Sequence, residues 1–263
     1  MTKIAIEDPQ KAVSFLEAVQ LPTPPSEFEG MVGSGMLPPT DYGAADDHAV
    51  AIGSQVAEFA ANVPAELRPQ IANSFLLAQL AANREIQDHG GGTKAWYDRY
   101  IDVLANIGWL VESSEQTVRE VSGSALEVHE EIIPVLTAAL GPAVAATAVM
   151  MSVLNGLAEM NKDQPWITLF DRESQRASAN QFQFSYAAFD QNVGPKISLV
   201  CFELDASQAL TQVLFFKFSS SSARFRHFGA ELAMNRAVFD RAKTVVENRI
   251  AEYVSSYVAD IEI

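Results

Sequence analysis

Between Gln181 and Phe218 the chain carries extended stretches with large apolar side chains on both faces. In "QFQFSYAAF", Phe182, Phe184 and Tyr186 share one face. In "KISLVCFELD", Ile197 and Leu199 oppose Val200, Phe202 and Leu204, and in "LTQVLFFKFS" Val213 and Phe215 oppose Leu214, Phe216 and Phe218. Successive side chains of a strand point to opposite faces, and a sheet with one wet face alternates apolar and polar residues. A chain built this way must cover its sheet with helices or another layer on both sides, or must eventually bring the segment to lipid. The fold class that follows is α/β, α+β in its connectivity, with a mostly antiparallel central sheet.

The rest of the chain supplies covering elements. Val50, Val56, Phe59 and Ala60 can share a helical face after Asp46, and a second helix is expected over about Ala65–Gln87, making a helical hairpin. "DHGGGTK" ends that helix; it lacks the spacing and preceding strand of a phosphate-binding loop, so it is read as a turn. A short helix is expected before Gly108, an extended segment over Trp109–Val121 and helix again around Ala125–Ala139. Ile132–Ala158 contains no formally charged side chain, but Pro134 and the Gly141-Pro142 break divide it. Two core helices are one reading of it, and a membrane-entering element is the other. Strands are expected over Trp166–Phe170, Gln181–Phe189, Lys196–Asp205 and Leu210–Ser219, with a tight hairpin at Asp205–Gln208. A C-terminal helix is expected over Arg236–Val258.

Residues 1–45 contain "LPTPPSEFEG" and "GSGMLPPTDYG" and read as a flexible N-terminal arm, a segment for proteolysis or dimerisation. Residues 46–263 read as a single domain. The start of the chain has no apolar stretch of the secretory kind, which makes cytoplasmic production the expectation, with later release or storage in inclusions.

Charge and residue chemistry narrow the function. A net charge of -15 works against binding nucleic acid and strongly anionic membranes. The single cysteine, Cys201, sits in an apolar strand and reads as a buried small hydrophobe; an internal disulfide is excluded. His48, His89, His129 and His227 show no metal-ligand spacing, and Ser34 lies outside a nucleophile elbow. No catalytic residue, cofactor or metal site is assigned, and the expectation is a protein that is not an enzyme. Arg224 and Arg226 flank the strand block; they can meet lipid phosphates, or pair with carboxylates as solvated strand ends.

"LNGLAEMNKDQPWITLFDRESQRASANQFQFSYAAF" followed by "ISLVCFELDASQALTQVLFFKFSSSSARF" resembles the Cyt-type cytolytic delta-endotoxins, whose relatives include fungal pore-forming cytolysins. The likeness runs from about Ile107 to Phe225, with a looser echo in "IEDP" and Ala65–Asn83, and rests on the order of "PWITLF", "FEL" and "QVLFF". It implies a single domain whose helical hairpins cover the sheet on both faces. It further implies a membrane-binding cytolysin that permeabilises target membranes after the helices move away and copies assemble. The partners implied are membrane phospholipids, zwitterionic given the acidic charge, and further copies of the chain, on membranes or as a soluble homodimer. Phe184, Phe202, Val213, Phe215 and Phe216 are the candidates for membrane insertion or the pore scaffold, with core packing as the other role open to each. A non-lytic lipid-binding or interaction protein on the same fold is the competing reading.

Overall fold

A computed structural model describes residues 8–24, 40–43, 46–121, 128–140, 148–156, 160, 163–175, 180–205, 214 and 223–261. Seven strands form one sheet, β1 (His48–Ile52), β2 (Gln55–Phe59), β3 (Trp109–Val121), β4 (Asn180–Asp190), β5 (Gly194–Asp205), β6 (Ala223–Met234) and β7 (Val258–Asp260). Their order is β3-β6-β5-β4-β2-β1-β7. Every pairing is antiparallel except β2 with β4, which is parallel. The sheet therefore has two parts: four contiguous antiparallel strands of 11 to 13 residues, and a short flank whose strands have five, five and three.

Helices lie on both faces, as the two-sided apolarity requires. The first face of the sheet carries Phe182, Phe184, Val200 and Phe202, and α6 (Pro165–Ser174) packs there through Phe170. Helix α4 (Val128–Leu140) touches β5, and α5 (Ala148–Gly156) touches β1 and β2. The second face lies under α2 (Arg68–His89) and α3 (Gly92–Asn106), an antiparallel pair turned at Gly90 and Gly91. Helix α7 (Arg236–Ile250) packs on α2, and α1 (Pro9–Ala18) on α7. The short α8 (Val254–Tyr257) leads into β7. Wedged among the sheet, α3 and α7, α2 buries Ile71, Phe75, Leu76, Leu77 and Leu80 on several sides.

Helix α3, β3, β4, β5 and the start of α7 fall where the sequence puts them; other expectations differ. Residues 48–59 form a β-hairpin, not a helix, because Gly53-Ser54 makes a two-residue turn; Gly53 takes φ +54 and donates to the Tyr257 carbonyl at 2.7 Å. The helical hairpin is therefore α2 with α3. Trp166–Phe170 is helical: Pro165 occupies the first turn, and Trp166, Ile167, Phe170 and Ser174 follow helical spacing into the core. The C-terminal helix ends at Ile250, after which the chain turns through α8 into β7. Strand β5 is paired along both edges, by β4 and β6, and the turn expected at Asp205–Gln208 lies outside the described residues beyond Asp205. The strand expected at Leu210–Ser219 lies outside the described residues apart from Leu214, which is a buried turn residue.

Within the segment read as an N-terminal arm, α1 is capped by Asp8, whose carboxylate accepts from the Gln10 N–H at 2.9 Å. Ala12, Leu16 and Val19 are buried. Arg249 donates to the Val19 carbonyl, and the Tyr253 hydroxyl donates to the Pro22 carbonyl at 2.5 Å.

Candidate functional site

The candidate site is the β4–β5 pair and the helix layers that cover it. Along β4 the two faces differ in chemistry. Phe182 and Phe184 point one way; Gln181, Gln183 and Ser185 point the other, and all five are buried.

The first face is an aromatic cluster. Phe182 stacks on Phe202 with ring centres 5.3 Å apart, Phe184 meets Phe202 edge-on at 6.0 Å, and Phe170 lies 5.8 Å and 6.3 Å from Phe182 and Phe184. Such clusters are held by burial and ring geometry. At its margin the His227 ring lies 6.2 Å from Phe202, and partial burial pulls its pKa below the ordinary 6.5. On the same face Glu58 is buried, and its carboxylate accepts from the Met150 N–H in the first turn of α5 at 2.8 Å.

The second face is a polar seam. The Gln79 side chain of α2 donates to the Ile52 carbonyl at 2.8 Å, and its Oε1 accepts from the Ser54 N–H at 3.1 Å. The Tyr100 hydroxyl of α3 donates to Gln55 Oε1 at 2.8 Å, and Gln55 Nε2 donates to Ser185 Oγ at 2.8 Å. Ser54 Oγ lies 3.1 Å from Gln183 Oε1. Burial raises the pKa of the Tyr100 hydroxyl well above its ordinary value, so it remains a donor. Cys201 lies on this face opposite Gln183; it is 2% exposed, and burial raises its thiol pKa well above the usual value, so it is protonated and inert. Hydrogen bonds fix the orientation of α2 and α3 on the sheet, while α6 packs on the rings and its Arg172 donates to the Ser256 carbonyl at 2.8 Å.

The candidates read from sequence separate accordingly. Phe184 and Phe202 come together in the aromatic cluster, 1% and 0% exposed. Val213, Phe215 and Phe216 lie outside the described residues. Arg226 Nη1 is 3.0 Å from both carboxylate oxygens of Glu203 on the neighbouring strand, so a lipid phosphate would have to displace that ion pair. Arg224 stands at the register position opposite Asp205. The polar seam is invisible to sequence reading because residues 54, 55, 79, 100 and 183 converge only through the fold. Its one local signal is the Gly53-Ser54 turn between "AVAI" and "QVAEF". Among the described residues no group of three or more His, Cys, Asp or Glu side chains is placed to hold a metal ion.

No family model matches the chain, and no curated protein matches it. Distant likenesses to solved structures include two. One, titled "DELTA-ENDOTOXIN", is 12% identical, with 73% of this chain and 89% of that chain covered and a TM-score of 0.35. The other, titled "Structure of the Evf virulence factor", is 16% identical, with 94% and 91% covered and a TM-score of 0.33. Both likenesses are weak, and neither places the chain in the cytolytic delta-endotoxin family.

Proposed function

We propose that this protein is a membrane-binding cytolysin of the kind its strand block resembles, which permeabilises target membranes after its covering helices are displaced and copies assemble. The observation that carries the reading is the antiparallel unit β3-β6-β5-β4. Its strands have 11 to 13 residues, and a strand crossing the hydrocarbon core needs about 9–11. Among the described residues no helix is long and apolar enough to cross a membrane. A bilayer admits spanning strands only when every edge is paired, which makes assembly of several copies a requirement of the mechanism. The partner is a phospholipid bilayer, zwitterionic because the chain carries -15, and the place of action is the target cell membrane.

Dye release from phosphatidylcholine vesicles tests this, using the intact chain and a chain cleaved by limited proteolysis within residues 25–39. The proposal expects release from at least one form, with protein recovered in the membrane fraction as oligomers. A folded protein that leaves vesicles sealed in both forms overturns it. The polar seam favours the second reading, a non-lytic lipid-binding or interaction protein, because its hydrogen bonds hold α2 and α3 on the sheet. Vesicle binding without release selects that reading.

A further inference from the structure

We infer that the outer edge of β3 is a self-association surface, on which a second copy of this chain pairs its own β3 in antiparallel register about a two-fold axis at Thr117. The two ends of the sheet are unequal. At one end stands β3, with 13 residues, and among the described residues no strand lies beyond it. At the other end β7 has three residues, and its Asp260 carboxylate already accepts from the Asp41 N–H at 3.2 Å and lies 3.3 Å from His48 Nε2. An end strand offers a row of peptide groups to another chain. The mismatch in length disfavours head-to-tail pairing of β3 with β7 and favours pairing of like with like.

The charges of β3 then select one register. Opposed residues in an antiparallel pair turn their peptide groups toward one another together or away together. Beyond the irregularity between Val111 and Ser113, every second residue of β3 is committed toward β6. The two-fold axis must therefore fall on a residue. An axis at Glu115 opposes two acidic residues at one register position, and an axis at Arg119 opposes two basic ones. At Gln116 it sets Ser113 against Arg119, and at Val118 it sets Thr117 against Arg119, so neither joins opposite charges. Only the axis at Thr117 sets Glu115 against Arg119, and symmetry does so twice. The same register opposes Gln116 to Val118 and Ser114 to Glu120, with no like charges face to face. The net charge of -15 on each copy repels over long range, but at physiological ionic strength this is screened beyond about 8 Å, while directly opposed pairs lie inside that distance.

The proposal concerns the soluble chain and is independent of membrane action, so its test uses no lipid. Sedimentation of the full chain across the micromolar range should show a concentration-dependent dimer. Arg119→Glu and Glu115→Arg should each weaken it about tenfold or more, because each turns two attractive pairs into repulsive ones, and the double reversal should restore it. Thr117→Cys should form a covalent dimer on mild oxidation, since opposed Cα atoms stand about 4.5–5.5 Å apart, within disulfide reach. The wild type should not, because Cys201 is buried. A chain that stays monomeric throughout overturns the inference, as does a dimer indifferent to both single reversals. Should a reversal impair folding, judged by circular dichroism, the Thr117→Cys crosslink decides: its absence in a chain that dimerises places the interface elsewhere.

Discussion

Gln79 and Tyr100 hold the most informative contacts in the molecule, because each ties a covering helix to the sheet through buried hydrogen bonds. Gln79→Ala leaves the Ser54 N–H and the Ile52 carbonyl without that side chain and opens a cavity, and is expected to cost about 2–4 kcal/mol in denaturant unfolding. Tyr100→Phe removes one bond to Gln55 and should cost about 1–2 kcal/mol. In the cytolysin reading Gln79→Ala also lowers the protein concentration needed for vesicle leakage, since it loosens the layer that must leave. A Gln79→Ala protein as stable as wild type would show that the seam does not hold the helices. His227 gives a pH dependence of definite sign. Burial holds its folded pKa below 6.5, so above that value neither state is protonated there. As pH falls through 6.5 the unfolded chain takes up a proton first, and stability is lost progressively until the lower folded pKa is reached. Unfolding measured from about pH 8 to about pH 5 should show a shallower loss for His227→Gln than for wild type. Some slope should remain, because burial also depresses His48. Identical slopes would contradict the assignment.

At the scale of elements, three of the four long strands were legible, whereas β6 and the short strands were not. The limits of β3, β4 and β5 follow from alternation and flanking turns, since a strand of 11 to 13 residues gives a period of two many repeats. In β1 and β2, Val50, Val56 and Phe59 satisfy a helical period as well as an extended one, and burial of nearly every residue erases the alternation. In α6 the residues Trp166, Ile167, Thr168 and Phe170 favour strand locally; packing of Phe170 onto Phe182 and Phe184 and the proline at the first turn override that preference. Strand β6 escaped detection because "ARFRHFGAELAM" mixes charges, glycine and small residues, and pairing with β3 and β5 alone makes it a strand. Of the candidate site, the aromatic face was readable and the polar seam was not, because buried glutamines look like surface residues until their partners are known. The junction from α3 to β3 carries a test of its own. Gly108 has φ +107, and a Cβ there would stand 3.0 Å from the Phe239 nitrogen and 3.3 Å from the Asn235 carbonyl oxygen. Gly108→Ala should therefore cost about 1–3 kcal/mol from backbone strain, with displacement of α7 adding to it. A neutral substitution would mean that α7 does not dock across this turn.

The whole molecule is a four-stranded antiparallel unit closed between one helix layer packed on an aromatic cluster and another pinned by a polar seam. Helix α1 extends the pinned side, so deleting residues 1–24 should expose an apolar strip on α7 and reduce stability by about 3 kcal/mol or more through loss of the buried Leu16, Val19 and Ala12. Increased binding of a hydrophobic dye with a lowered unfolding midpoint would show this, and an unchanged midpoint would contradict it. The central claim is that the helices part from the sheet at a membrane, and the native cysteine reports on it without engineering. Cys201 lies under the α2–α3 layer, 2% exposed, and should resist both water-soluble and membrane-permeant maleimides in solution. The decisive measurement is maleimide labelling of Cys201 before and after addition of phosphatidylcholine vesicles, with dye release followed in the same sample. The account predicts that labelling and release rise together. Release with Cys201 still protected, or no release from a folded chain, would contradict it.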